Sequence, residues 1–330
     1  MTETARRPAT AADVAARAGV SRATVSHIFT GREGNFAPET RERVLRAARE
    51  LDYRPSPAGR NLVRGRGDTI VLLAPMSTIG QNHQDAMERL AVDTAGIGAN
   101  VVLRFADPDQ DATATAILRL RPLAVVDLAG LAPAARERLA AQGVPTVPRL
   151  DDSLARHELP VEDQIATMQL VELTRGHPRQ LIYASLIDRR PDPYSAGRLA
   201  AIQAECTRRA LPPALSVALP LDKDGALQAL GRLLGSRPTG VAAYNDAVAL
   251  AALSVGRRLG KSVPDEFAVV GMDNTPFAHL AEPQLTTIDV NMDHLMDVAV
   301  TQLAEELGIR LELPPRSRSA LLTLVRGDSS

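Results

Sequence analysis

Apolar residues change their spacing once along this chain of 330 residues, and the change divides it. Before residue 55 they recur every three to four positions. Thr10-Ala11-Ala12-Asp13 offers a hydroxyl and a carboxylate placed to cap a helix start, and the helix it predicts runs to about Ala18. Gly19-Val20 makes a turn. Ser21 then caps a second short helix, in which Thr24, Val25, Ile28 and Phe29 turn one face inward. Pro38 suits the first position of a third helix, with Val44, Ala48 and Leu51 inside and Arg41, Arg43, Arg46 and Arg49 solvated.

From Thr69 the pattern is different. Short β-rich runs at Thr69–Ala74, Asn100–Arg104, Leu123–Asp127, Gln180–Ala184, Gly240–Tyr244 and Ala268–Met272 alternate with helical segments. Such alternation predicts parallel sheets with helices on both faces. Roughly 260 residues exceed one comfortable core, so two lobes are expected. No stretch offers 18 uncharged apolar residues, and no apolar stretch follows Arg6-Arg7. Neither membrane spanning nor export is expected, and a cytoplasmic location fits. The single cysteine, Cys206, excludes intramolecular disulfides and cysteine-rich metal sites.

The net charge of −1 hides an asymmetry. Residues 1–66 carry thirteen arginines against seven acids, net +6, which leaves −7 for the remainder. The first fifth is therefore a basic three-helix unit. Two short helices across a tight turn form a helix-turn-helix, whose second helix enters the major groove while hydroxyls and amides grip phosphates. Arg22, Ala23 and His27 are the outward positions available for base edges. The spacing alone also fits a small capped helix pair with solvated arginines.

The run Asp13-Val14-Ala15-Ala16-Arg17-Ala18-Gly19-Val20-Ser21-Arg22-Ala23-Thr24-Val25-Ser26 resembles the headpiece of the LacI/GalR family of bacterial repressors. Thr40-Arg41-Glu42-Arg43-Val44 and Leu51-Asp52-Tyr53-Arg54-Pro55 resemble that family's third helix and its exit. The resemblance implies a DNA-facing set of Thr10, Ser21, Arg22, Ala23, Thr24, Ser26, His27 and Thr30. It also implies that residues 56–67 are a hinge helix for the minor groove, in which Leu62 wedges a base step. Gly59 stands where the family usually has alanine, and Ala37 where it usually has a capping serine. Both weaken helix starts or interiors. A plain linker is the alternative reading of this stretch.

For residues 68–330 the resemblance implies a two-lobed periplasmic-binding-protein-like domain with parallel sheets and crossovers near 161–164, 289–292 and 321–324. Ligands of open α/β sheets bind beyond the carboxyl ends of strands. Tyr244-Asn245-Asp246 and Gly271-Met272-Asp273-Asn274-Thr275-Pro276-Phe277 follow two such strands, and Tyr194-Ser195-Ala196-Gly197-Arg198 matches a helix start. Arg198, Asn245 and Asp273 are the implied effector contacts, with Asn245 able to donate and accept and Asp273 able to accept from hydroxyls. Capping of helices or turns is the structural alternative for Asn245 and Asp273, and Asp246 is expected to cap its helix in either case. The first strand's exit, Pro75-Met76-Ser77-Thr78-Ile79-Gly80-Gln81-Asn82, lacks the family's usual acidic and aromatic residues. With no tryptophan, platforms for stacking a sugar ring are scarce.

No phosphate loop or nucleophile elbow occurs, Gly96-Ile97-Gly98 reads as a helix end, and the histidines show no metal-ligand spacing. Glu305-Glu306, adjacent in sequence, are expected to diverge as solvated charges. No enzymatic activity, cofactor or metal is expected. The expectation is a DNA-binding transcriptional regulator, a repressor controlled by a small-molecule effector, with sugars among the candidates. Its partners would be a palindromic operator in double-stranded DNA and a second copy of the chain. Two alternatives stand beside it: a regulator that has lost its effector response, and a cytoplasmic ligand-binding protein without DNA function.

Overall fold

The computed structural model describes residues 9–29, 36–53, 67–75, 81–149, 161–176, 179–188, 194–310 and 320–330. Thr30, Gly59 and Leu62 lie outside the described residues. The chain divides into a unit of residues 1–69 with 120–123 and a unit of residues 70–119 with 124–330.

The first unit holds α1 (Ala11–Ala18), α2 (Arg22–Phe29) and α3 (Pro38–Glu50). Each boundary has a local chemical cause. Thr10 and Asp13 form the reciprocal capping box that opens α1. Gly19 ends it with φ +64°, a left-handed conformation that a side chain would resist. Ser21 Oγ accepts from Thr24 N at 3.0 Å to open α2. Ala37 makes no side-chain cap, so Pro38 alone marks the start of α3. Val14, Ala18, Val25, Ile28, Val44, Ala47 and Ala48 are buried together, and the rings of Phe29 and Tyr53 meet edge to face at 5.7 Å.

The second unit holds two four-stranded sheets. In the first, β1 (Thr69–Ala74), β2 (Asn100–Phe105), β3 (Ala124–Asp127) and β4 (Thr146–Val147) run in the order β2-β1-β3-β4. In the second, β5 (Gln180–Leu186), β6 (Leu215–Leu219), β7 (Thr239–Ala243) and β8 (Phe267–Val270) run in the order β6-β5-β7-β8. Every pairing from β3–β4 to β7–β8 for which the register is resolved is parallel. The six β-rich runs of the sequence all become strands, shifted by a residue or two at their ends. The runs that become β1, β3 and β7 are buried along almost their whole length because central parallel strands are covered on both faces, whereas β2 lies at the sheet edge and is largely unburied.

The strands of the first sheet alternate along the chain with α4 (Gln81–Thr94), α5 (Gln110–Leu120) and α6 (Pro133–Ala140). The second carries α7 (Val161–Leu173), α8 (Ser195–Arg208), α9 (Lys223–Gly231), α10 (Asp246–Arg258) and α11 (Pro276–Leu280). Gly96-Ile97-Gly98 does end a helix: residues Ala95–Ile97 form a 3-10 turn closed by Gly98 at φ +65°. An antiparallel ribbon of β9 (Thr287–Val290) and β10 (Leu322–Val325) flanks α12 (Met292–Leu307). Although α12 comes late in the chain, it packs on α4 and β4 of the first sheet's lobe.

Arginines fix that packing. Arg89 of α4 reaches Asp93 at 2.7 Å on its own helix and Asp293 and Asp297 on α12 at 3.1 and 2.6 Å. Arg149, which follows β4, holds Glu305 at 2.9 Å and Glu306 at 3.0 Å. Both glutamates are exposed, as expected of solvated charge, but they converge on one arginine instead of diverging: the wide guanidinium fork spans adjacent side chains that a point charge would not.

Candidate effector cleft and DNA-reading face

On the helical unit, Ser21, Arg22 and Ala23 are exposed at the start of α2, and Thr24, Ser26 and His27 are half-buried behind them. The His27 ring lies 6.2 Å from Phe36. Ser21 Oγ and Thr24 Oγ1 are 2.9 Å apart. Thr10 is half-buried at the start of α1, with its hydroxyl on Asp13. Arg41, Arg43, Arg46 and Arg49 on α3 are exposed, and Arg17 pairs with Glu50 at 2.7 Å, tying α1 to α3. One helix end thus carries Ser21, Arg22 and Ala23 in the open, on a unit with net positive charge.

In the larger unit, loops beyond the carboxyl ends of both sheets touch. Asn82, in the first turn of α4, donates to Asp273 Oδ1 at 3.5 Å, and Asp273 stands in the loop after β8. The Tyr194 hydroxyl, just before α8, donates to the carbonyl of Leu128 after β3 at 2.6 Å. These two contacts bridge loops that follow strands of different sheets, where ligands of such folds bind.

Arg198 sits in the first turn of α8, flanked by two rings: its Cζ is 5.6 Å from the centroid of Tyr194 and 4.6 Å from that of Tyr244. Nη1 donates to the Tyr244 carbonyl at 2.7 Å. Nε is buried without a hydrogen-bond partner. The surrounding carbonyl and rings hold the guanidinium in place without saturating its donors.

Asp273 adopts φ +99°, a conformation rare for a residue with a side chain. Burial pushes its carboxyl up to about 6, with Asp246 adding to the rise and Arg198 opposing it. Its neighbour Asn274, at φ +47°, donates through Nδ2 to Asp289 at 3.1 Å.

The loop is anchored by Asp246, and here the structure corrects the sequence. Asn245, not Asp246, caps α10: its Oδ1 accepts from Val248 N at 3.0 Å. Asp246 is instead fully buried and accepts from Thr275 N at 2.7 Å, Thr275 Oγ1 at 2.9 Å and Thr287 Oγ1. Burial raises its pKa, and the hydrogen bonds from Thr287 and Thr275 work against that rise. Gly271 completes the anchor, since a side chain there would collide with the Asp246 carboxylate. Asn245 therefore offers a ligand its amide NH2, with one lone pair of its oxygen already committed to the cap. At the end of β3, Asp127 is likewise committed, accepting from the backbone of Ala129, Gly130 and Leu131 and from Arg136.

The three implied effector contacts thus fall at strand ends of one sheet, with Arg198 within electrostatic reach of Asp273 and bonded to the residue that precedes Asn245. Sequence reasoning passed over Asn82 and the two tyrosines that flank Arg198. The tyrosines were visible as neighbours of motif residues. Asn82 carried no signal.

Comparison with known proteins agrees with this architecture. Residues 10–56 match the model of the bacterial regulatory proteins of the lacI family, and residues 172–330 match a periplasmic binding protein-like domain. The transcriptional regulator MalR of Streptomyces coelicolor is 30% identical over 320 residues, 90% of each chain. The ribose operon repressor of Escherichia coli K12 is 28% identical over 315 residues, 91% of this chain and 93% of that one. Among solved structures, the Lac repressor dimer bound to operator and the anti-inducer ONPF shares the fold with a TM-score of 0.74 at 22% identity, covering 98% of this chain and 99% of that one. A helix-turn-helix unit joined to a two-lobed α/β unit, together with full-length relatives that regulate transcription, shows that the chain belongs to the lacI family of bacterial regulatory proteins and is a DNA-binding transcriptional regulator.

Proposed function

We propose that the protein represses transcription as a homodimer on a palindromic operator, and that a small molecule in the cleft of its larger unit alters the spacing of the two headpieces. One short helix reads only a few base pairs, and two copies on a two-fold axis square the discrimination. Arg22, Ala23 and His27 read base edges, while Thr10, Ser21, Thr24, Ser26 and Thr30 hold phosphates and the turn. Leu62 wedges a base step, and Gly59 raises the cost of the implied hinge helix by about 0.5–1 kcal/mol. Arg198, Asn245 and Asp273 bind the effector, and Asn82 reaches the same place from the other lobe. No described helix is long and apolar enough to cross a membrane, and the protein works in the cytoplasm, where its operator is.

The observation that carries this reading is the bridging of two strand-end loops from different sheets around a guanidinium with spare donors. A ligand that replaces Asn82 on Asp273 exchanges a contact between lobes for a contact with itself, and so shifts the lobe equilibrium by its differential affinity. The test selects bound sequences from random duplexes with the full chain, then titrates the selected site with and without candidate effectors. Palindromic enrichment and an effector-dependent shift in affinity are expected. Duplex binding without sequence preference overturns the operator reading.

A further inference from the structure

The unspent part of Arg198 has a definite shape. Nη1 is held by the Tyr244 carbonyl, the Cζ stands 5.6 and 4.6 Å from the Tyr194 and Tyr244 ring centroids, and Nε is buried with no partner. Nε and Nη2 lie on one edge of the planar group, so two parallel N–H donors point the same way. An acceptor must enter in the plane and bring two oxygens. No carboxylate lies within ion-pair distance of Arg198 among the described residues: Asp273 acts on it only through space and is engaged by Asn82.

Three ligand groups offer a pair of oxygens at that spacing, a carboxylate, a phosphate and a vicinal diol, and of these the phosphate brings a second charge that Asp273 would oppose. A diol brings two hydroxyl protons that must find acceptors beside a cation. A carboxylate brings none, supplies the missing counter-charge, and forms charge-assisted bonds about twice as strong as neutral ones. Ring stacking, the usual way to hold a neutral sugar, has little to work with here: Tyr194 and Tyr244 already stand against the Arg198 guanidinium, and the chain has no tryptophan. At the other end of the site, Asp273 accepts, and the Asn245 NH2 donates.

We infer that the effector is a small hydroxy monocarboxylic acid, its carboxylate on the Nε–Nη2 edge of Arg198 and its hydroxyls on Asp273 and Asn245. This rests on the reading of the cleft as the effector site. A second carboxylate is excluded by Asp273, whose own carboxylate would face it.

The experiment measures the melting temperature and calorimetric affinity of the full chain against matched pairs. Lactate, glycerate, gluconate and galacturonate are set beside propanediol, glycerol, sorbitol and galactose. At least one acid should raise the melting temperature and bind more than about tenfold tighter than its neutral partner, with charge-assisted bonding as the source. Arg198→Lys, which keeps the charge and loses the fork, should remove most of that preference. Asp273→Asn, a second variant that leaves Arg198 alone, should keep the acid preference while weakening every hydroxylated acid. If a neutral member binds as tightly as its acid, and Arg198→Lys abolishes binding, the inference falls and the effector reading stands. If no member of either half shifts the melting temperature, both fall.

Discussion

Replacing Asp273 by Asn should make the protein more stable at neutral pH, and the size of the gain should depend on pH in a defined way. The Asp273 carboxyl ordinarily titrates near 3.8 and is pushed up to about 6 in the fold, because burial and the charge of Asp246 outweigh the help from Arg198. For an acid whose folded value is raised, both states are protonated below about 3.8 and no penalty exists. Between that value and about 6 the unfolded chain gives up its proton while the folded chain keeps it, so folding loses stability as pH rises. Above that window the loss is complete. Two units at about 1.36 kcal/mol each set a ceiling near 3 kcal/mol, and the part-exposure of the residue brings the expected value to roughly 1–3 kcal/mol. Asn takes the same positive φ about as readily as Asp, so the backbone strain cancels between the two proteins. The assay is the melting temperature of both proteins from pH 4 to pH 8, read as a difference so that every other carboxylate cancels. The variant should gain several degrees relative to the parent between pH 4 and pH 7. A difference that stays flat across that range would refute the claim that an uncompensated carboxylate is buried here.

Three further outcomes follow from single contacts. Arg22→Ala should cost about 1–3 kcal/mol on the selected site and relax one position in each half-site, measured by binding to singly altered duplexes; equal weakening on all of them would assign Arg22 to phosphate. Asp246→Ala leaves Thr275 N, Thr275 Oγ1 and Thr287 Oγ1 without their buried acceptor and should cost about 3 kcal/mol or more in urea unfolding, with Asp246→Asn recovering part of it. Tyr194→Phe removes the hydroxyl bonded to the Leu128 carbonyl and should cost about 1 kcal/mol, and a variant as stable as the parent would mean that this bridge contributes nothing.

The parts of the fold that the sequence announced are those set by near neighbours. Thr10 with Asp13, Gly19, and Ser21 with Thr24 settle their helix ends within three residues, so pattern and chemistry agree there. The central strands were legible because burial on both faces leaves only apolar residues. Strand β6 was not: it is an edge strand, its residues Leu215, Ser216 and Ala218 are exposed, and nothing in them demands a sheet. The ribbon of β9 and β10 joins residues more than thirty positions apart and reads locally as two unrelated short segments. Asn82 was illegible for the same reason in stronger form, since its partner Asp273 stands 191 positions away.

Asn245 shows how a correct residue can carry the wrong chemistry until its surroundings are known. From its side chain alone it can donate and accept. In the fold one lone pair of its oxygen is committed to Val248 N, because α10 begins one residue earlier than an Asp246 cap would require, and Asp246 is drawn inward to hold the loop that presents Asp273. The site is left with donors at Arg198 and Asn245 and an acceptor at Asp273. A neutral polyol offers Arg198 only hydroxyl oxygens, each with a proton that must find its own acceptor beside the cation. A hydroxy acid, with two bare oxygens at one end and hydroxyls at the other, matches the division that the helix cap imposes.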